Sequence, residues 1–483
     1  MDHPTAEHAR SAEEAHGELA VWRPDSDPPR TPRAQLLGLF LIALVVYLSN
    51  ARLVGQVDGR AAPRMAMSLL REGNLDLDEF TGHCLEGLAA QLPYVQKIDG
   101  HYYSKWSPAA AVVYLPFYAI PAWTGMQTTV PDDRNPAAVK ENKAFRWVGK
   151  IAAATIAALT AIIVLLALRR LCPPAPAMLL AILYAFGMSA WPINAQDTWQ
   201  HGPGALMLSL GLLGALCCRR EGGRFGTTVA AALALGMATA VRPTNATLAL
   251  PLGVLLLIRS PRRYWAAVIA AGLIAPLGLL AYNEWIFGAP LGGGYADAYE
   301  GSPWTTPLHL GAAGLLISPS RGLLLFTPAT AFVIYGVWRA VRRPGSRLFT
   351  IALSAGCAAH LAIMGMWSGW FGGWAYGPRF LAEVMPLAVA LIALGVDRVW
   401  SSIGWRSLLI VLVVISILIA SLGCYVGVDD WHIRQEVVRR RPLGRAVWDW
   451  GECQILYQAR KMLGLISKPP PAASRPAGAP AGS

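Results

Sequence analysis

Long apolar runs, broken by short polar stretches, set the pattern of this chain. The runs cover residues 35–50, 147–168, 175–193, 202–217, 226–241, 246–258, 264–286, 322–338, 348–366, 380–396 and 407–428. Many approach the twenty residues a helix needs to cross ~30 Å of hydrocarbon. In lipid only helices and closed barrels satisfy their own backbone, and the alternation of barrel strands is absent. The pattern predicts an all-α polytopic membrane protein with about 11 spanning helices.

One polar stretch is out of scale with the others. Residues 55–108 hold Asp58 near their start and His101, Tyr102, Tyr103 and Lys105 near their end. Within them, residues 61–72 alternate Met65, Met67, Leu69 and Leu70 with Arg64 and Arg71, as suits a helix lying on a membrane surface. Residues 107–123 are apolar but carry Pro108, Pro116 and Pro121. They read as an interfacial or re-entrant helix rather than a span.

Arginine placement sets the orientation. One group of short loops holds Arg169, Arg170, Arg219, Arg220, Arg224, Arg259, Arg262, Arg263, Arg339, Arg342, Arg343, Arg347, Arg398 and Arg406; the opposite group holds Arg242, Arg321 and Arg379. Positive loops stay in the cytoplasm, so the polar stretch faces outward. The expected organisation is a disordered cytoplasmic tail (1–33), a transmembrane domain (34–428) with its first outer loop at 51–146, a periplasmic segment (429–467) and a disordered tail (468–483). The N-terminus is then expected on the cytoplasmic side.

Composition agrees. The 483 residues are 54% hydrophobic and 14% charged, against about 25% charged in soluble domains. The formal charge of +12 resides in short clusters between apolar runs, which is a topology signal and argues against nucleic acid as a partner. The seven cysteines show no metal-ligand spacing. Cys84 and Cys453 both lie in outer segments, where they either pair or stay structural.

Unusual residues gather in the outward loops. Asp197 and His201 stand four apart at the mouth of a helix; they match half of a zinc site, with no third ligand evident. Arg242 opens a helix junction, and Arg321 and Arg379 begin two spans. Trp370 and Tyr376 belong to the run 367–379, which also reads as an aromatic belt at headgroup depth. Asp58 is either a catalytic base or a helix N-cap, and Lys105 either binds phosphate or snorkels to the interface. Arg379 and Glu383, four apart, are spaced to pair on a helix face. His360, mid-span, reads as a satisfied core residue. One carboxylate among several cations suits reaction on a phosphorylated lipid, with a base for the acceptor hydroxyl and cations for the leaving phosphate.

The order of features resembles the GT-C glycosyltransferases that use polyprenyl-phosphate sugars, such as protein O-mannosyltransferases and the lipid A aminoarabinose transferase. The matching features are Asp58 after the first helix, the helix at 61–72, the sequence from Tyr102 through Lys105 to Pro108, and the proline-rich helix to Trp123. The segments SPSRGLLLF (318–326) and YGPRFL (376–381) are similar to bacterial members of the same superfamily. Two departures stand: Gly59 follows Asp58 where relatives often carry a second acid, and Trp106 and Ser107 separate Lys105 from its proline. The resemblance implies transfer from a polyprenyl-phosphate donor, with inversion, to a glycan, lipid or protein acceptor on the outer face. It makes Asp58 the general base, and Lys105, Arg321 and Arg379 contacts of the donor phosphate. His101, Tyr102, Tyr103, Asp197, His201, Arg242, Trp370 and Tyr376 are then candidates for sugar and acceptor. No cofactor is called for; a divalent metal is compatible but unsupported. The rival readings are a secondary transporter, which would place ionisable residues near the midplane in repeated halves, and a non-catalytic lipid-binding protein.

Overall fold

A computed structural model describes residues 31–54, 57–80, 95–132, 135–218, 224–293 and 303–466. The tail residues 1–30 and 467–483, and Cys84, for which a pairing with Cys453 was considered, lie outside the described residues. The chain is a multi-pass helical bundle. Helix α1 (Arg33–Leu48) leads into α2 (Ala61–Arg71), the hairpin β1 (Val95–Ile98) and β2 (His101–Ser104), and α3 (Ala109–Trp123). A second hairpin, β3 (Thr129–Asp132) with β4 (Asn135–Glu141), then delivers the chain to α4 (Lys143–Leu168). The bundle continues through α5 (Pro174–Gly187), α6 (His201–Cys217), α7 (Phe225–Val241), α8 (Ala246–Arg259) and α9 (Trp265–Phe287). It closes with α10 (Leu308–Ile317), α11 (Phe332–Val341), α12 (Pro344–Met366), α13 (Met385–Ala393) and α14 (Ile403–Tyr425), followed by a C-terminal segment that holds α15 (Gln454–Met462).

Four helices among the described residues are long and apolar enough to cross a membrane: Lys143–Leu168, Arg262–Phe287, Pro344–Met366 and Ile403–Tyr425. Three of the expected runs are interrupted, each in a stretch that contains proline. The run at 322–338 is cut into Leu323–Phe326, a 3-10 turn at Pro328–Ala331, and α11. Pro328 offers no N–H and disfavours helical backbone at Thr327 before it. The run at 175–193 ends as α5 at Gly187 and resumes as one π turn, Ala190–Asn194, around Pro192. The run at 380–396 opens as a 3-10 stretch, Arg379–Val384, before α13. Helix α10 lies in a stretch expected to be loop.

The two hairpins correct the expectation of helix alone in the first loop. Asp99 and Gly100 both adopt positive φ, 50° and 93°, the geometry of a tight primed turn for which Asp-Gly is the strongest sequence signal. That turn pairs Ile98 with His101 and Lys97 with Tyr102.

At the centre lies α13, every residue of which is buried, as expected of a helix apolar on all sides. Small residues let backbones meet elsewhere: side chains added at Gly236 and Gly311 would run into the backbones of Gly272 and Gly365. The loops sort into two ends as the arginine pattern requires. At one end Asp397 takes Arg343 at 2.7 Å and Arg339 at 3.8 Å, and Arg259 donates to Ala215 O at 3.1 Å. At the other, polar, end the segments around residues 58, 101–107, 197–201, 242 and 379 converge. Helix α3 belongs wholly to that polar end. Ser107 ahead of it donates to Ala240 O at 2.6 Å, Tyr114 along it donates to Trp199 O at 3.1 Å, and Tyr118 stacks against Phe145 at the start of α4. It packs on α2.

Candidate active site

Asp58 lies in a short 3-10 turn, Val57–Gly59, just ahead of α2. Its carboxylate pairs with the Arg379 guanidinium. Arg379 is in turn stacked over Trp199 (4.8 Å) and Phe380 (5.4 Å), so the cation is oriented by two rings. Trp199 stands edge-on to His201 at 6.0 Å.

The carboxylate missing beside Asp58 in sequence arrives from another loop. A Cβ built on Gly59 would stand 2.6 Å from Asp197 Oδ1, so glycine is what lets the two segments touch. Thr198 fastens them by donating to Gly59 O at 2.6 Å, and Asp197 Oδ1 accepts the Thr198 N–H at 2.8 Å.

Behind this pair sits a buried ionic cluster. Glu383 is fully buried; its Oε1 accepts from Arg242 at 2.7 Å and its Oε2 lies 3.0 Å from His201 Nδ1. Arg242 also lies over the Phe380 ring at 5.6 Å. The arrangement ties the N-terminus of α6, the C-terminus of α7 and the 3-10 stretch at 379–384 together. It also overturns the Arg379–Glu383 pairing suggested by spacing. In a 3-10 helix residues three apart eclipse and residues four apart diverge, so each takes a partner from elsewhere. In sequence Glu383 was named only as a helical partner for Arg379, although a carboxylate inside an apolar run is itself a signal.

The remaining candidates divide. Lys105 is half-buried two residues before Ser107, whose bond to Ala240 places it near the Arg242 turn, and it makes no hydrogen bond or ion pair among the described residues. His101 is exposed, and Asp78 beside its Nδ1 at 2.5 Å raises the imidazole above its usual value. Asp76, Asp78 and His101 offer three ligand atoms within 4.8 Å of one another, as do Glu72, Asp76 and Glu79; these are the groups among the described residues with cation-ligating donors. Tyr102 is half-buried under Lys97 Nζ at 5.0 Å, and Tyr103 faces Gln96 across the hairpin.

Three calls are corrected. Arg321, expected at the donor phosphate, is wholly buried. Its five N–H groups are spent on Phe371 O, Ser320 O, Gln454 Oε1, Gly373 O and His432 Nε2 at 2.5–3.0 Å. Trp370, expected at the sugar, is buried against Gly314 and Trp448. Tyr376 is buried too, its hydroxyl donating to Ile419 O at 2.8 Å. All three hold the loop 367–379 onto the C-terminal segment, where Gln454 also bonds Gly377 N (3.1 Å) and Ala375 O (2.9 Å). By fixing that loop they fix Arg379. His360 meets expectation: it is buried, with Thr247 Oγ1 at 3.0 Å and Phe380 O at 3.1 Å.

No protein-family model and no curated protein matches the sequence. Solved structures do match. ArnT from Cupriavidus metallidurans bound to undecaprenyl phosphate aligns at 15% identity with a TM-score of 0.52, over 90% of this chain and 78% of that one. Its apo form aligns at 12% identity and 0.51, over 84% and 80%. The fold is that of a GT-C glycosyltransferase. An oligosaccharyltransferase, AglB from Archaeoglobus fulgidus, is also similar at 12% identity and a TM-score of 0.45, over 92% of this chain and 61% of that one. Within this GT-C fold the polar end gathers the first loop, the 197–201 turn and the 379–384 stretch, and Asp58, Arg379 and Asp197 are where they meet.

Proposed function

We propose that the chain is a membrane glycosyltransferase that moves a sugar from a polyprenyl-phosphate donor to a glycan, lipid or protein acceptor at the outer face of the bacterial inner membrane. The observation that carries this reading is the meeting of Asp58, Arg379 and Asp197 at the polar end of a GT-C fold. The undecaprenyl phosphate bound in the ArnT structure supports a lipid phosphate as the leaving group. The acceptor hydroxyl attacks the anomeric carbon as the sugar–phosphate bond breaks, and its proton passes to Asp58; the configuration inverts. Arg379, shared between Asp58 and the departing phosphate, and Lys105 neutralise the charge that develops. Asp197, His101, Tyr102, Tyr103, His201 and Arg242 line the approach of sugar and acceptor.

The test is mass spectrometry of cell-envelope glycans from cells carrying wild-type or Asp58→Asn protein at matched levels. One sugar-bearing species is expected to disappear with the variant and return with the wild type. Identical glycan profiles in both would end the reading. Reporter fusions after Arg220 and after Gly372 check its orientation, the first cytoplasmic and the second exterior; the reverse pair would place the site on the wrong side.

A further inference from the structure

A second charged cavity opens beside the turn that carries Asp58. It is a small cleft between that turn, α2 and the start of α4, and Gly59 forms part of its wall. Its ionisable lining is Arg60, Arg64, Arg146 and Lys150 against Glu141 and Asp197, four cations to two carboxylates. Neither Asp58 nor Arg379 lines it.

Lys150 is the telling member. It is 2% exposed and sits on the inward face of α4. Its ammonium donates to the neutral Gln196 Oε1 at 2.6 Å and makes no ion pair among the described residues. Gln196 offers no charge and is held elsewhere: the same oxygen accepts from Asn50 at 2.7 Å, and its amide donates to Trp191 O at 2.9 Å. The Glu141 carboxylate is shared between Arg64 at 3.2 Å and Arg146 at 3.6 Å. A buried ammonium with one neutral hydrogen-bond partner is unfavourable by itself, because the charge has lost its water without gaining a direct ion pair. Placed at a cavity wall with three guanidinium groups, it has the donors and the charge for an oxyanion.

We propose that this cleft is an anion subsite, which takes a phosphate or carboxylate group of the acceptor. The assignment to the acceptor rests on the function proposed above, in which Arg379 and Lys105 serve the donor. Asp58 then stands between the two, its backbone neighbour in the wall of one site and its carboxylate on the cation of the other. An acidic acceptor anchored at Lys150 would present its hydroxyl across Gly59.

The experiment is a thermal-stability titration of the detergent-purified full chain with inorganic phosphate at constant ionic strength, in which a ligand that binds the folded state raises the midpoint. Phosphate is expected to raise the wild-type midpoint. Lys150→Gln is expected to weaken the half-saturating concentration by about tenfold or more, and Lys150→Arg to retain most of the response. Asp58→Asn is expected to respond like wild type; lost transfer with a retained phosphate response separates the subsite from the catalytic reading. If Lys150→Gln fails to fold, Arg146→Gln is read in its place and is expected to weaken the response similarly. No response in the wild type, or an equal one in wild type and the charge-removing variant, overturns the subsite. Glycerol phosphate and phosphatidic acid in nanodiscs form two further arms. Response to the first alone assigns the anion to a soluble acceptor and to the second alone to a lipid; both support the subsite.

Discussion

Arg379 and Asp58, 321 residues apart in sequence, form an ion pair at the polar end of the bundle. The pair joins the first loop to the 3-10 stretch that precedes the central helix, and it defines the candidate reaction centre.

Removing either charge separates chemistry from stability. Asp58 is partly exposed, and Asp58→Asn keeps its size and an oxygen that accepts from Arg379, so the variant is expected to fold and reach wild-type levels. Asp58→Asn is expected to lower transfer by about 10² or more, because an amide does not take the acceptor proton. Arg379→Gln is expected to lower it by about ten- to a hundredfold through the lost charge on the leaving phosphate. Normal transfer by Asp58→Asn at wild-type protein level removes the residue from the mechanism.

Gly59 is a second, sharper probe. Its Cβ position lies 2.6 Å from Asp197 Oδ1, so Gly59→Ala must displace the Asp197 carboxylate. A displacement near 1 Å in a reacting centre is worth about 10² in rate, and a fall of that order in transfer is expected with the protein still folded. Full activity would show that Asp197 need not touch this turn.

Lys105 carries the departure from its relatives. If it contacts the donor phosphate, Lys105→Gln is expected to lower transfer about ten- to a hundredfold, since a charge-assisted bond is worth roughly 1.5–3 kcal/mol. Lys105→Arg is expected to recover part of that, as its planar fork differs in shape. Equal activity for wild type and Lys105→Gln leaves the phosphate to Arg379.

Glu79 gives a pH signature. Burial, chiefly, pushes its carboxyl from 4.5 up to about 7, and the neighbouring carboxylates of Glu72 and Asp76 act in the same direction. The folded state then holds a proton that the unfolded state has lost, so stability falls as pH rises from about 4.5 to about 7 and levels off above. Glu79→Gln is expected to flatten that slope in melting temperatures measured across the window. An unchanged slope would mean that Glu79 does not titrate there.

Much of the architecture was legible because lipid allows so few solutions. A run of apolar residues must be helical in a bilayer, and the arginine clusters mark its ends. Helix α2 was legible as a helix, although its first eight residues are buried in the protein rather than laid on a surface. The hairpin β1–β2 also carried a signal, Asp99-Gly100 between alternating residues, that the dominance of helix elsewhere obscured.

What the chain's order by itself determined was therefore local and chemical: helical membrane elements, a polar first loop, Asp58 within it and cations at helix mouths. Partnership was decided only in three dimensions. Arg321, Trp370 and Tyr376 looked like ligands because they sit in unusual outward segments, yet packing buries all three: Arg321 bonds loop carbonyls, Gln454 and His432, Trp370 meets Trp448, and Tyr376 donates to Ile419 O. Arg379 and Glu383 were spaced as a helical pair, yet the tighter 3-10 winding sends one to Asp58 and the other to Arg242 and His201. Asp197 reaches Gly59, and Lys150 reaches the neutral Gln196 at a cleft wall, through contacts between segments 46 to 139 residues apart. Periodicity reports which face of one element is apolar; which charges meet depends on how the elements pack, and that information is spread over the whole chain.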